Sequence, residues 1–171
     1  MKTTTVRGTR VNLNNEFITV GSMAPDFTLI RQDMSSLSLK DFRGKYVILT
    51  IFPSLDTPVC ATSVRKFNQA ATRLPEIVVL AISKDLPFAQ QRFCTTEGIE
   101  NVIPLSDFRP SDFDDRYGVL MADGPLAGLL ARAIVIIDKE GKVVYTEMVP
   151  DIAQEPDYDK ALEQIKGYAN Y

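Results

Sequence analysis

The chain contains no histidine and no tryptophan, and only two cysteines, Cys60 and Cys94, among its 171 residues. Without histidine there can be no Cys–His nucleophile pair, so a reactive thiol must be activated by other groups. Two cysteines cannot complete a four-ligand zinc site without carboxylates or another subunit. The cysteines are far from C-x-x-C spacing, so the usual motif of a thiol–disulfide oxidoreductase is absent. No apolar stretch approaches the ~20 residues needed to span a bilayer. The N-terminus, "MKTTTVRGTRVNLNNEF", is too polar for a secretory signal. A net charge of −3 gives no attraction to nucleic acid or to an anionic membrane surface. A cytoplasmic location is expected. In that reducing setting a cysteine pair points to redox or catalytic use rather than to a lasting structural disulfide.

The length suits one domain spanning 1–171, and neither repeats nor low-complexity segments interrupt it. Residues 3–20 alternate apolar and polar around "NLNN", which predicts an N-terminal β-hairpin extension within 1–20. "APDFTLI" opens a strand, and "KDFRGK" reads as a helical turn or loop. "YVILTIF" (46–52) and "IVVLAI" (77–82) are nearly continuous apolar runs, the pattern of strands covered on both faces. Between them Cys60, Val64, Phe67, Ala71 and Leu74 recur at helical spacing, which predicts an amphipathic helix and a right-handed parallel crossover. "LPFAQQRFCTTEG" predicts a helix from Pro87 to Gly98, and "NVIPLSD" a short strand. "AIVIIDKEGKVVYTEMV" reads as two antiparallel strands turning at Glu140-Gly141, and "DYDKALEQIKGYA" as a closing helix. The expected architecture is α/β: a mixed central sheet flanked by helices. The order of elements is that of a thioredoxin-like fold with the hairpin added.

The segment "FPSLDTPVCATSVRKF" (52–67) carries the chemistry. Its strand runs out at Pro53, and a helix is expected to begin near Thr57-Pro58. Threonine suits the cap, and proline suits a position whose N–H would be unpaired anyway. Cys60 then falls in the first turn, where free N–H groups and the helix dipole favour a thiolate. Opposing this, Cys60 also belongs to the apolar stripe of its helix, and the neighbouring Asp56 carboxylate disfavours a second negative charge. On the residues alone, a packed thiol and a reactive thiol stand level. Arg132, at the mouth of the apolar strand "AIVIID", admits two readings as well. It either faces the Cys60 loop across an antiparallel strand pair or snorkels out at a sheet edge.

The segments "FPSLDTPVCATSVRKFN", "SKDLPFAQQRFC" and "ADGPLAGLLARAIVIID" resemble the peroxiredoxins, and among them the bacterial thiol peroxidases, which are atypical two-cysteine enzymes. The P-x-x-x-T-x-x-C pattern is met by Pro53, Thr57 and Cys60. The likeness runs from "APDFTL" to "EPDYDKAL" with the motifs in order. It implies that Cys60 attacks a hydroperoxide and becomes a sulfenic acid. It also implies that Thr57 steadies the thiolate or peroxide, that Pro53 shields the pocket from water, and that Arg132 completes the site.

Cys94 is implied as the resolving cysteine, closing a Cys60–Cys94 disulfide after partial unwinding of the surrounding helices. Simple burial is the alternative for Cys94, and a solvated surface charge is the expectation for Arg92. The resemblance further implies thioredoxin as reductant, a homodimer, and no bound cofactor or metal. The apolar loop "GVLMADGPLAGLL" would serve a dimer face or a pocket for organic hydroperoxides. The rival function is a non-catalytic redox sensor that uses the same disulfide to alter a partner's binding.

Overall fold

The computed structural model describes residues 2–73 and 76–169. For Pro58, Cys60 and residues 71–73 and 166–169 it describes the backbone alone. The chain opens with strands β1 (Thr3–Val6) and β2 (Thr9–Asn12), paired antiparallel. Their turn lies at Arg7-Gly8 and not at the expected "NLNN", because both turn residues take positive φ (50° and 83°), the tight geometry that matches strand twist. Past Asn12 the alternation continues for a different reason. Leu13 and Phe17 are buried against the body of the protein, and Leu13 forms an isolated bridge with Met121.

The hairpin is tied firmly to a segment near the far end of the chain. Thr5 N–H donates to Pro150 O (3.1 Å), Ile152 N–H donates to Thr5 O (3.1 Å), and the Thr4 hydroxyl donates to Val149 O (3.0 Å). The Asp151 carboxylate accepts from the Thr5 hydroxyl (2.6 Å) and from Gly8 N–H (2.9 Å). The Thr5 hydroxyl first, then Ala153 N–H (2.9 Å) and Gly8 N–H, hold the Asp151 pKa down at about 2.

The main sheet has seven strands: β3 (Thr28–Ile30), β4 (Ser36–Ser38), β5 (Tyr46–Ile51), β6 (Ile77–Ser83), β7 (Val102–Ser106), β8 (Ala133–Ile137) and β9 (Val143–Met148). Their order is β4-β3-β7-β6-β5-β8-β9. Strands β5, β6 and β7 run parallel, while β3 and β8 are antiparallel to their neighbours β7 and β5, which makes the mixed sheet expected. Helices α1 (Pro58–Arg73) and α2 (Pro87–Glu97) form the two crossovers. Helix α3 (Phe113–Tyr117) follows β7, and α4 (Tyr158–Ala169) closes the chain.

Every residue of β5 is buried, as its unbroken apolar run predicts. Val47, Leu49 and Ile51 face a core shared with Phe27, Phe113, Tyr117 and the hairpin residues Val6 and Val11. Tyr46 and Ile48 face a second core with Phe67 of α1, Cys94 of α2, and Ala161 and Ile165 of α4. The three long helices therefore cover one face, and the short α3, the hairpin and loops cover the other. Within α1, Val64 and Phe67 fall on the buried side, as their spacing predicts. The Ala71 side chain and Leu74 lie outside the described residues.

Two elements, β4 and α3, carry no usable sequence signal. Three residues are too few for alternation to register, and α3 is a single turn stopped by Gly118. That glycine has φ +66°, and a Cβ there would lie 2.0 Å from Glu16 O, so no larger residue fits.

Candidate active site

The ends of the parallel strands β5 and β6 and the start of β8 meet at one end of the sheet, the end at which open α/β folds place their ligands. After β5, Phe52 N–H still reaches Ile82 O (3.1 Å), and the buried Pro53, lacking an N–H, then ends the ladder. The next turn is organised around Ser54. Its carbonyl accepts both the Thr57 N–H (3.2 Å) and the Thr57 hydroxyl (2.9 Å). Its own hydroxyl donates to Asp85 (2.7 Å) and accepts from Asp56 N–H (3.1 Å). The Thr57 hydroxyl thus donates backward into the loop, while the Thr57 carbonyl accepts the helical N–H of Ala61 (3.2 Å).

Pro58 opens α1, the position where proline costs nothing, and Cys60 stands in the first turn. The Cys60 side chain lies outside the described residues. One turn on, along the same side of the helix, Ser63 is 1% exposed. Its hydroxyl lies 2.8 Å from the Tyr158 hydroxyl of α4.

Arg132 immediately precedes β8, whose register pairs Ala133 with Ile51, so Arg132 stands level with the exit of β5. It is 3% exposed, and β8 lies between β5 and β9 rather than at a sheet edge. The snorkelling alternative therefore falls away. The Arg132 Nε–H donates to Ile152 O (2.8 Å), and its carbonyl accepts Val149 N–H (3.0 Å), both in the segment fixed by the N-terminal hairpin. Burial pushes the Tyr158 phenol up to about 12, partly offset by the Ser63 hydrogen bond and by the positive charge of Arg132. Arg132, Tyr158 and Ser63 therefore share one neighbourhood beneath the first turns of α1.

Cys94 is buried in α2 within the cluster that holds Phe52, Leu55, Val64 and Phe67. Burial pushes its thiol up to about 11, above the ~8.5 of an exposed cysteine. Folded Cys94 stays a neutral thiol where an unfolded chain would ionise. Its contribution to stability is therefore intact below about pH 8.5 and lost as pH rises through about 11. Cys94→Ala is expected to remove about 2 kcal/mol of the alkaline loss of stability, at roughly 1.4 kcal/mol per pKa unit. Urea melts of wild type and variant, at about pH 8 and about pH 10.5, measure the difference.

Arg92 is exposed, as expected of a surface charge. The apolar loop "GVLMADGPLAGLL" is partly core. Val119, Met121 and Leu130 are fully buried with the hairpin on the face away from Cys94, while Leu120, Leu126 and Leu129 are only partly covered. Among the described residues no group of three or more His, Cys, Asp or Glu is arranged to hold a metal ion. Nor is any helix among them long and apolar enough to cross a membrane.

Sequence reasoning gave no role to Ser54, Ser63, Asp85 or Tyr158. Asp85 had one legible signal, its position just after an apolar strand at the edge shared with the Cys60 loop. The pairing of Tyr158 with Ser63 is a tertiary contact that no spacing reveals.

The model of the family described as Redoxin matches residues 19–162. The chain is 58% identical to the thiol peroxidase of Mycobacterium tuberculosis H37Rv over 161 residues, covering 94% of this chain and 96% of that protein. It is 50% identical to the thiol peroxidase of Corynebacterium glutamicum, with 96% and 99% covered. The crystal structure of a peroxiredoxin-like protein from Aquifex aeolicus superposes with a TM-score of 0.92 at 40% identity, over 98% of this chain and 97% of that one.

Proposed function

Since the chain belongs to the redoxin family and, within it, to the thiol peroxidases, we propose that it reduces hydrogen peroxide and organic hydroperoxides by a two-cysteine cycle. The Cys60 thiolate attacks the terminal peroxide oxygen, the O–O bond breaks, and the alcohol or water leaves with a proton, giving Cys60 sulfenic acid. The Cys94 thiol then attacks the Cys60 sulfur. An S–S bond forms, and the sulfenic hydroxyl departs with the thiol proton as water. A dithiol protein of the thioredoxin type reopens the disulfide by exchange and is itself oxidised.

In this cycle the Thr57 hydroxyl exchanges its bond to Ser54 O for one to the thiolate or the peroxide. Pro53 keeps water from the reacting atoms. Arg132 stabilises the thiolate and the negative charge on the departing oxygen. The observation that carries the reading is the burial of Arg132 level with the exit of β5, beside the Ser63–Tyr158 pair one turn beyond Cys60. A positive charge buried beside the first turns of α1 favours the ionised form of a thiol carried there.

The chain works as one domain over 1–171. Its N-terminal extension steadies the 149–153 segment that holds Arg132. Sulfur carries the electrons, so the cycle requires no bound cofactor. A homodimer is the form the peroxiredoxin resemblance implies, and the cytoplasm is its expected location.

The test is NADPH-coupled turnover of cumene hydroperoxide and of hydrogen peroxide with thioredoxin and thioredoxin reductase. Wild type is expected to turn over many times, and Cys94→Ser to stop after about one equivalent of peroxide. A wild type that forms its disulfide reversibly yet does not turn over would instead be a redox sensor.

A further inference from the structure

Asp85 has no part in the peroxidatic cycle, yet it links the two cysteine-bearing segments. One carboxylate oxygen accepts the Ser54 hydroxyl (2.7 Å); the other accepts Leu55 N–H (2.8 Å) and the Ser83 hydroxyl (2.7 Å). Ser54 and Leu55 stand in the turn beyond β5, where the ladder has ended. Through Ser54 the restraint reaches Thr57, whose N–H and hydroxyl both donate to the Ser54 carbonyl. Hydrogen bonds to an ionised acceptor are roughly twice as strong as neutral ones, so this carboxylate is a firm anchor for the loop. Asp85 is itself fixed, since Ser106 of β7 donates its hydroxyl to the Asp85 carbonyl.

On its other side Asp85 stands two residues before α2, the helix that carries Cys94. That helix is weakly held at its start, where Leu86 offers no side-chain cap and the first turn has no acidic residue, whereas Gly98 caps its far end. Gln90, one turn before Cys94 on the same buried side, donates to Ser83 Oγ (3.3 Å) and Leu105 O (2.9 Å). Its Oε1 is buried with no hydrogen-bond partner among the described residues. An orphaned acceptor lowers the free energy needed to open the helix, because water satisfies it once α2 unwinds.

We propose that Asp85 is a positioning residue that holds the Ser54–Thr57 loop in the peroxide-reducing arrangement and releases it when α2 opens to bring Cys94 to Cys60, which rests on the proposed roles of the two cysteines. Asp85 thereby sets a partition. While the loop is held, Cys60 sulfenic acid can meet a second hydroperoxide, which transfers one oxygen to give the sulfinic acid and leaves as the alcohol. Once the loop is released, the sulfenic acid condenses with Cys94 and expels water. Holding the loop favours the first oxidation and delays resolution.

The experiment compares full-length wild type, Asp85→Asn, Ser54→Ala and the double variant by stopped-flow oxidation with cumene hydroperoxide. Expected in each variant is an about tenfold slower first oxidation, together with faster disulfide formation and less sulfinic acid at excess peroxide. Iodoacetamide labelling of Cys94 in the reduced protein should rise about tenfold. The double variant should match Asp85→Asn, because both changes cut one chain of bonds. If Asp85→Asn fails to fold, Ser54→Ala alone must show the same opposed shifts.

A purely structural role would lower the melting temperature without moving the two steps in opposite directions, and that result overturns the assignment. A wild type that forms no Cys60–Cys94 disulfide overturns the cycle and this proposal together. Normal wild-type resolution with unchanged variants overturns this proposal alone.

Discussion

Replacing Cys60 by serine is expected to reduce peroxide consumption to background, a loss of at least about 10⁴-fold in the second-order rate constant. The sulfur supplies the electron pair that breaks the O–O bond, and the helix-start position favours its thiolate. A serine hydroxyl ionises far less readily, and the chain contains no histidine to activate it. The fold should survive, because serine differs from cysteine only by oxygen in place of sulfur and suits a helix start. Rapid mixing with cumene hydroperoxide, with circular dichroism to check folding, measures both parts. Activity retained in Cys60→Ser would move the nucleophile elsewhere in the chain.

Arg132→Met is expected to slow the first oxidation about 10²- to 10³-fold, the usual cost of removing one preorganised donor from the developing negative charge. Methionine keeps much of the side chain's length and removes the charge. Arg132 is nearly closed to solvent, so the lost charge is poorly replaced by water. The Cys60 thiol should then titrate about one unit higher, seen in the pH dependence of its alkylation. A second effect comes from the Nε–H bond to Ile152 O. Losing that donor orphans a carbonyl in the segment that anchors the hairpin, and about 1–3 kcal/mol of stability should go with it. Arg132→Lys separates the two effects. It keeps the charge but not the guanidinium geometry, so its rate should fall between the others. Equal rates in wild type and Arg132→Met would leave Arg132 a purely structural cation.

The sheet strands were legible wherever burial on both faces forced an unbroken apolar run, as in Tyr46–Ile51 and Ile77–Ser83. Helix α1 was legible from the spacing of Val64 and Phe67, and α2 from Pro87 at its start and Gly98 at its end, which takes the left-handed conformation there. The hairpin was legible as an element but not in its turn. The polar "NLNN" suggested a bend, whereas Arg7-Gly8 holds the two positive φ values that a tight turn needs. Leu13 and Phe17 kept the alternation going by docking on the core, which a strand pattern imitates.

At the site, the loop before Cys60 followed from residue order, whereas Arg132 stood open between facing that loop and lying at a sheet edge, because residue order does not say that β8 lies inside the sheet between β5 and β9. The Asp85 anchor did not follow. A carboxylate chooses its donors by tertiary approach, and nothing in "SKDLP" says that Ser54 and Leu55 will be those donors. The burial of Cys94 lay between, since the apolar face of α2 is thin and its buried side includes the polar Gln90.

Whether Cys60 and Cys94 form one redox couple within a single chain is read by peptide mapping after a single equivalent of cumene hydroperoxide. Reduced protein is oxidised, blocked with iodoacetamide, digested without reductant and analysed by mass spectrometry. Expected is a Cys60 peptide joined to the Cys94 peptide of the same chain, two hydrogens lighter than the pair, with neither cysteine alkylated. A sulfenic or sulfinic Cys60 beside a fully alkylated Cys94, or a disulfide joining two chains, would contradict it.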